Sequence, residues 1–245
     1  MNFKKPFFLL LLLNIAILAG GIYGLVHNKL YERLWRKLTQ APYAPNWDNE
    51  VDKHQNLYTG PMNIVMLGNS ITYEGNWNEM LGRTDVANRG ISGDVTQGMK
   101  VRLGTVLQLK PKIIFLEAGI NDILSGYDLS QIKANYQQLL ETIVLKGVKP
   151  VVTLTFYTRY EPESNNDVDE LNRYLKAYCA ENQIQVIDLS EQFNEDGRLK
   201  KDVTHDGVHL NANGYRLWAE KVKKVLDGMP GNDSDEESLQ KESEI

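Results

Sequence analysis

Ile64-Val65-Met66-Leu67-Gly68-Asn69-Ser70 runs four apolar residues into a glycine and then a serine. An unbroken apolar run of this length reads as a strand buried on both faces, and Gly68 allows the turn that exposes Ser70 at its end. The same grammar recurs downstream. Short apolar segments stand near Val86, at Ile113 to Leu116, at Val151 to Thr155 and at Val186 to Leu189. Between and after them the spacing predicts helices over Thr96 to Leu109, Asp128 to Lys146, Val168 to Asn182 and Asn211 to Leu226. The clearest is Asp128 to Lys146, with Ile132, Tyr136, Leu139, Leu140, Ile143 and Val144 on one face, Gly147 as its stop and Pro150 barring continuation. Buried strands alternating with amphipathic helices predict an α/β fold, a parallel sheet covered on both faces, with its site at the carboxyl ends of the strands.

Working outward, residues 40–61 carry three prolines and no sustained period and read as a linker or a wrap over the domain, so the folded unit is expected to begin near Met62, with 29–61 as a juxtamembrane stalk and linker. Phe7 to Val26 is twenty uncharged residues behind Lys4 and Lys5, long enough as a helix to cross about 30 Å of hydrocarbon. A cleaved leader has a shorter apolar stretch of about 7 to 15 residues, so an uncleaved anchor over residues 1–28 is the expectation. Its alternative is secretion after cleavage near Ala19-Gly20-Gly21. Lys4 and Lys5 argue for a cytoplasmic N-terminus and an extracytoplasmic domain, whereas Lys29, Arg33, Arg36 and Lys37 pull the other way. The formal charge of -5 resides in residues 228–245, an acidic stretch too poor in apolar residues to pack. Residues 1–227 are neutral overall, which speaks against a nucleic-acid partner. Cys179 is the only cysteine, so no intrachain disulfide can form.

Four blocks carry chemistry: Gly68-Asn69-Ser70, Gly90-Ile91-Ser92-Gly93, Gly119-Ile120-Asn121-Asp122 and Asp206-Gly207-Val208-His209. A hydroxyl is a poor nucleophile unless a base lies within hydrogen-bond reach and a carboxylate holds that base in the right tautomer. Ser70, His209 and Asp206 fit those roles. The Gly93 N–H and the Asn121 carboxamide follow the second and third strands, where they can face a developing oxyanion at roughly 3 to 4 kcal/mol each. Taken singly, Ser70 is equally a helix cap, Gly93 a turn glycine, Asn121 a cap and His209 a helix entry. Their order and spacing favour the joint reading. A metal set of His205, Asp206 and His209 is weaker, because no second carboxylate-rich cluster is evident in the sequence.

Together the blocks resemble the SGNH, or GDSL-type, hydrolase superfamily over about Met62 to Leu226. Asn88 to Asp94 (NRGISGD) and Gly119 to Asp122 (GIND) are similar to the branch of platelet-activating-factor acetylhydrolase-like and lysophospholipase-like esterases. The resemblance implies a three-layer α/β/α sandwich over residues 62–227, with a five-stranded parallel sheet of flavodoxin-like order. It implies Ser70 as nucleophile, His209 as base and Asp206 as its orienting carboxylate. The oxyanion hole would be Ser70 N–H, Gly93 N–H and the Asn121 side chain, with no metal or organic cofactor. Asn69 departs from the aspartate usual in the name-giving block.

The expected reaction is acyl-ester hydrolysis, including acetyl esters, on a carbohydrate or lipid. Trp77, Phe156, Tyr157 and Arg159 follow strands and are candidates for lining the substrate pocket, although surface-loop packing explains each as well. A catalytically silent glycan- or lipid-binding module at the membrane surface, and a nucleotide binder at the first turn, are the competing readings. The first turn lacks the glycine spacing of a phosphate cradle. Oligomeric state is left open by the sequence.

Overall fold

The computed structural model describes residues 46–229. The expected membrane segment Phe7 to Val26, the first part of the stalk and the acidic tail lie outside these residues. Among the described residues no helix is long and apolar enough to cross a membrane.

Five strands form one parallel sheet: β1 (Ile64–Gly68), β2 (Val86–Gly90), β3 (Ile113–Glu117), β4 (Lys149–Thr153) and β5 (Gln185–Ile187), in the order β2-β1-β3-β4-β5. β1 and β3 are buried at every position, as unbroken apolar strands with neighbours on both sides should be. Their register places Gly68 beside Gly90 on one side and beside Glu117 on the other. Because β1 to β2 steps one way across the sheet and every later crossover steps the other way, right-handed crossovers send the connecting helices to opposite faces. The helices α2 (Ser70–Tyr73) and α3 (Trp77–Leu81) join β1 to β2. On the other side lie α4 (Thr96–Leu107), α6 (Leu129–Leu145) and α7 (Ser164–Glu181), while the short α5 (Ile120–Leu124) follows β3 directly. After α8 (Ser190–Phe193) and an antiparallel hairpin of β6 (Asn194–Glu195) and β7 (Arg198–Leu199), the C-terminal α9 (Ala212–Asp227) packs against α3.

An aromatic cluster welds that last contact. Trp77 and Trp218 meet edge to face at 4.7 Å, and Phe156 bridges from Trp218 at 5.2 Å to Phe193 at 5.0 Å. Such pairs add about 0.5–1.5 kcal/mol each beyond the area they bury.

Two expectations need correcting. The fourth strand begins at Lys149 rather than Val151; Pro150 is accommodated because pairing to β5 starts only at Val151. The stretch read as a linker or a wrap over the domain does wrap it, but as a helix, α1 (Trp47–Asn56), which packs against α4 and buries His54. Its sequence has no apolar stripe, since polar contacts anchor it in place of a hydrophobic face.

Candidate active site

The site is assembled at the carboxyl ends of β1, β2 and β3 and on the loop entering α9. Ser70 is the first residue of α2, and the Asn69 side chain caps that helix by accepting the Ile71 N–H at 2.8 Å. Gly68 is obligatory because a Cβ there would lie 2.1 Å from Thr72 Oγ1 and 2.7 Å from the Glu117 carbonyl. At the other end of α2, the Asn88 carboxamide donates to the carbonyls of Thr72, Tyr73 and Gly75 at 2.9–3.1 Å. The serine helix is thus clamped at both ends.

The last block folds back on itself through a bridge between Thr204 and Leu210. Thr204 Oγ1 donates to the His209 carbonyl at 2.5 Å and accepts the Gly207 N–H at 2.8 Å. The Arg159 N–H, on the loop after β4, donates to the Gly207 carbonyl at 2.9 Å. Within this loop Asp206 Oδ1 accepts the N–H groups of Val208 and His209, and Asp206 Oδ2 lies 2.6 Å from His209 Nδ1. His209 Nε2 in turn lies 2.9 Å from Ser70 Oγ, closing a chain across 139 residues of sequence. Burial alone would raise the Asp206 carboxyl, but the His209 ring and the two backbone N–H groups outweigh it and hold it at about 2. Asp206 is therefore a carboxylate at any pH near neutrality.

Gly93, at φ +75°, occupies the left-handed region that favours glycine. The Asn121 carboxamide spends one of its two donors on the Asp94 carbonyl at 2.9 Å, leaving the second for a ligand. Asp94 is the joint of this half of the site. Its carboxylate accepts Arg102 Nε at 2.7 Å, and Arg102 Nη2 reaches the Gly68 carbonyl at 3.0 Å. Trp47 Nε1, from α1, donates to Asp94 Oδ1 at 3.0 Å. Burial raises the Asp94 carboxyl, opposed by the charge and hydrogen bond of Arg102. One buried ion pair thereby connects the serine turn, the Gly93 loop and Asn121. Breaking such a pair typically costs about 3–5 kcal/mol.

Two more acids lie behind the turn. Asp122 accepts Thr96 Oγ1 at 2.5 Å and the Thr96 N–H at 3.0 Å, and burial still pushes it up to about 7. Glu117 is fully buried and burial pushes it up to about 8, with the Asn69 carboxamide drawing it part of the way back. Neither Glu117 oxygen nor Asn69 Nδ2 has a well-formed hydrogen bond, so their contact is electrostatic proximity.

The structure unites Ser70, His209 and Asp206 and ties Asn121 to Asp94, the residue after Gly93. It does not bring Trp77 to the surface: at 1% exposure it is core, its indole N–H donating to the Thr72 carbonyl at 2.9 Å beneath α2. Phe156 is likewise core. Tyr157 is half-buried with its hydroxyl on Asp169, and Arg159 donates to the Leu199 carbonyl at 2.5 Å beside Lys200 and Lys201. Sequence reasoning missed Asn88, Trp47, Arg102 and Glu74. Only Asn88 carried a signal, as the first residue of NRGISGD; the others act through contacts distant in sequence. Glu74, one turn beyond Ser70, faces both His209 and His205.

A groove runs from Glu74 along α9, floored by Met80, Tyr215 and Ala219 and rimmed by Asn76 and Arg216. The Tyr215 hydroxyl donates to the Ile71 carbonyl at 2.7 Å, so the groove shares a wall with the serine helix.

Comparison with known proteins agrees with this architecture. The chain is 29% identical over 140 residues to an N-acylneuraminate cytidylyltransferase of Streptococcus agalactiae, a match covering 51% of this chain and 34% of that protein. It thus spans about a third of that relative's length. It is 30% identical over 149 residues to an acetylxylan esterase of Geobacillus stearothermophilus, covering 55% of this chain and 68% of the relative. A GDSL-like lipase from Bacteroides thetaiotaomicron superposes with a TM-score of 0.65 at 21% identity, over 74% of this chain and 97% of its own. The model of the GDSL-like lipase/acylhydrolase family matches residues 66–217, which hold every residue of the hydrogen-bonded centre from Ser70 to His209, and to that family this chain belongs.

Proposed function

We propose that the chain is a carboxylic-ester hydrolase working through an acyl-enzyme on Ser70, with acyl esters of a carbohydrate or lipid as substrates, acetyl esters among them. The observation that carries this reading is the continuous Ser70–His209–Asp206 hydrogen-bonded chain, at 2.9 and 2.6 Å. His209 Nε2 takes the Ser70 proton as Oγ attacks the ester carbonyl, while Asp206 holds the ring with its proton on Nδ1 and offsets the charge of the imidazolium. The tetrahedral oxyanion is met by the N–H groups of Ser70 and Gly93 and the free Asn121 donor. Its collapse expels the alcohol, which takes the proton from His209; water then repeats the sequence to release the acid and restore Ser70.

The relative named as an acetylxylan esterase supports the carbohydrate branch of this proposal. The apolar segment Phe7 to Val26 supports a domain held at a membrane, Lys4 and Lys5 before it favour the extracytoplasmic side, and N-terminal sequencing of the mature protein distinguishes this from secretion after cleavage.

Ser70→Ala is expected to abolish hydrolysis of a short-chain chromogenic ester and labelling by a fluorophosphonate while the far-UV spectrum is unchanged. Turnover at the wild-type rate would remove Ser70 from the mechanism.

A further inference from the structure

We infer that Glu74, His205 and His209 form a site for a zinc-like divalent cation whose binding silences the centre reversibly. The inference rests on the reading of His209 as the base. The sequence offers His205, Asp206 and His209 as a weak metal set with no second carboxylate-rich cluster; the fold adds one carboxylate, Glu74, from the end of the serine helix. Glu74 Oε2 lies 3.7 Å from His205 Nε2, and Glu74 Oε1 lies 3.9 Å from His209 Nε2. The two imidazoles are nearly parallel, 17° apart, with centroids separated by 6.0 Å. Donor atoms of His205, Asp206 and His209 also lie within 4.8 Å of one another.

Ligand atoms about 2.0–2.1 Å from a tetrahedral zinc stand roughly 3.3 Å apart, so the two gaps from the Glu74 carboxylate to the histidines each need to close by about half an ångström. The His205 and Glu74 side chains, 54% and 40% exposed, have the freedom to do so. The His205 ring makes no hydrogen bond among the described residues, so binding sacrifices none there. Two imidazoles with one carboxylate suit zinc, whereas calcium and magnesium require more oxygen ligands.

The arrangement around His209 supplies the second argument. A metal-bound histidine generally donates its other ring N–H to a carboxylate, which fixes the tautomer and strengthens the ligand. Asp206, 2.6 Å from His209 Nδ1, already does this. The lone pair that Asp206 prepares on Nε2 for the Ser70 proton is the one a cation would take. Occupancy and catalysis are therefore mutually exclusive, and no covalent change is involved.

The test titrates Zn2+ into the metal-free full chain, followed by ester hydrolysis and by calorimetry. Saturable inhibition reversed by EDTA is expected, with no inhibition by Ca2+ or Mg2+ at the same concentrations. His205→Ala should keep basal turnover and raise the half-inhibiting Zn2+ concentration by at least about tenfold, the scale seen when a metal site loses a supporting group. Glu74→Gln should weaken calorimetric Zn2+ binding likewise. Equal sensitivity of wild type and His205→Ala, or the absence of inhibition, would overturn the inference. Ser70→Ala keeps all three ligands and should still bind Zn2+. If no ester is turned over, the calorimetric comparison of wild type with His205→Ala still decides the metal site, so its failure is distinct from failure of the esterase reading.

Discussion

At Asn69 the chain departs from the family's usual aspartate, and the neighbouring Glu117 supplies a physical reason. Both side chains are buried, and Glu117 sits in register with the glycine that precedes Asn69. A second carboxyl at this point would leave two acids sharing one buried site, where like charges cannot both ionise cheaply. Asn69→Asp should therefore fold, since an aspartate can still accept the Ile71 N–H, but lose about 1–3 kcal/mol at alkaline pH. The loss should shrink toward mildly acidic pH, where Glu117 keeps its proton. Combining it with Glu117→Gln should restore stability. Urea denaturation at two pH values measures this, and an equal loss at both would show that carboxyl repulsion is not the cause.

Among the elements, α1 is the informative one, because it lies outside the segment matched to the family yet touches the centre. Its Trp47 holds Asp94, whose carbonyl holds Asn121. Trp47→Phe keeps a ring and removes the indole N–H. A hydrogen bond to a charged group contributes roughly 1.5–3 kcal/mol, and loss of even about 1 kcal/mol from the transition state slows turnover by about fivefold. The expected result is kcat down several-fold with KM unchanged, because the proposed oxyanion donors and not the ground-state pocket are disturbed. A rise in KM at constant kcat would contradict this coupling. The same helix shows what a sequence hides. The sheet and the long helices α4, α6, α7 and α9 were legible because burial writes apolar periods into them, whereas WDNEVDKHQN carries no such stripe. His209 and Asp206 were legible as neighbours three residues apart. Trp77 was misread because its partners Tyr215 and Trp218 come some 140 residues later, and nothing local distinguishes a core indole from a pocket wall. Asp94 and Arg102 escaped as a pair because only the crossover from β2 into α4 brings them together.

For the whole molecule the buried titratable groups set stability and the proposed chemistry against each other. His54 is held neutral by burial and by the nearby charges of Arg89 and Arg102, which bring it down to about 3. A histidine whose folded value lies below its unfolded one contributes stability fully above about pH 6.5, and this is lost as pH falls toward 3. Glu117 and Asp122 have the opposite sign. Their folded values of about 8 and about 7 lie above the unfolded ones, so the folded state binds more protons. They favour folding in acid, and that advantage is lost as pH rises through those values. With Asp94 also raised by burial, the carboxyls outnumber the imidazole and place the stability maximum on the acid side of neutrality. The proposed base must be neutral to act, so turnover should fall in acid. Melting temperature followed from pH 4 to 9 should therefore decline toward the alkaline end while ester turnover rises from the acid end. Glu117→Gln, which cannot ionise, should flatten the decline between about pH 5 and 8 without moving the fall of turnover in acid, since Glu117 is not the proposed base. A wild-type slope retained in Glu117→Gln would mean that Glu117 is already ionised in the folded protein and does not set its alkaline stability.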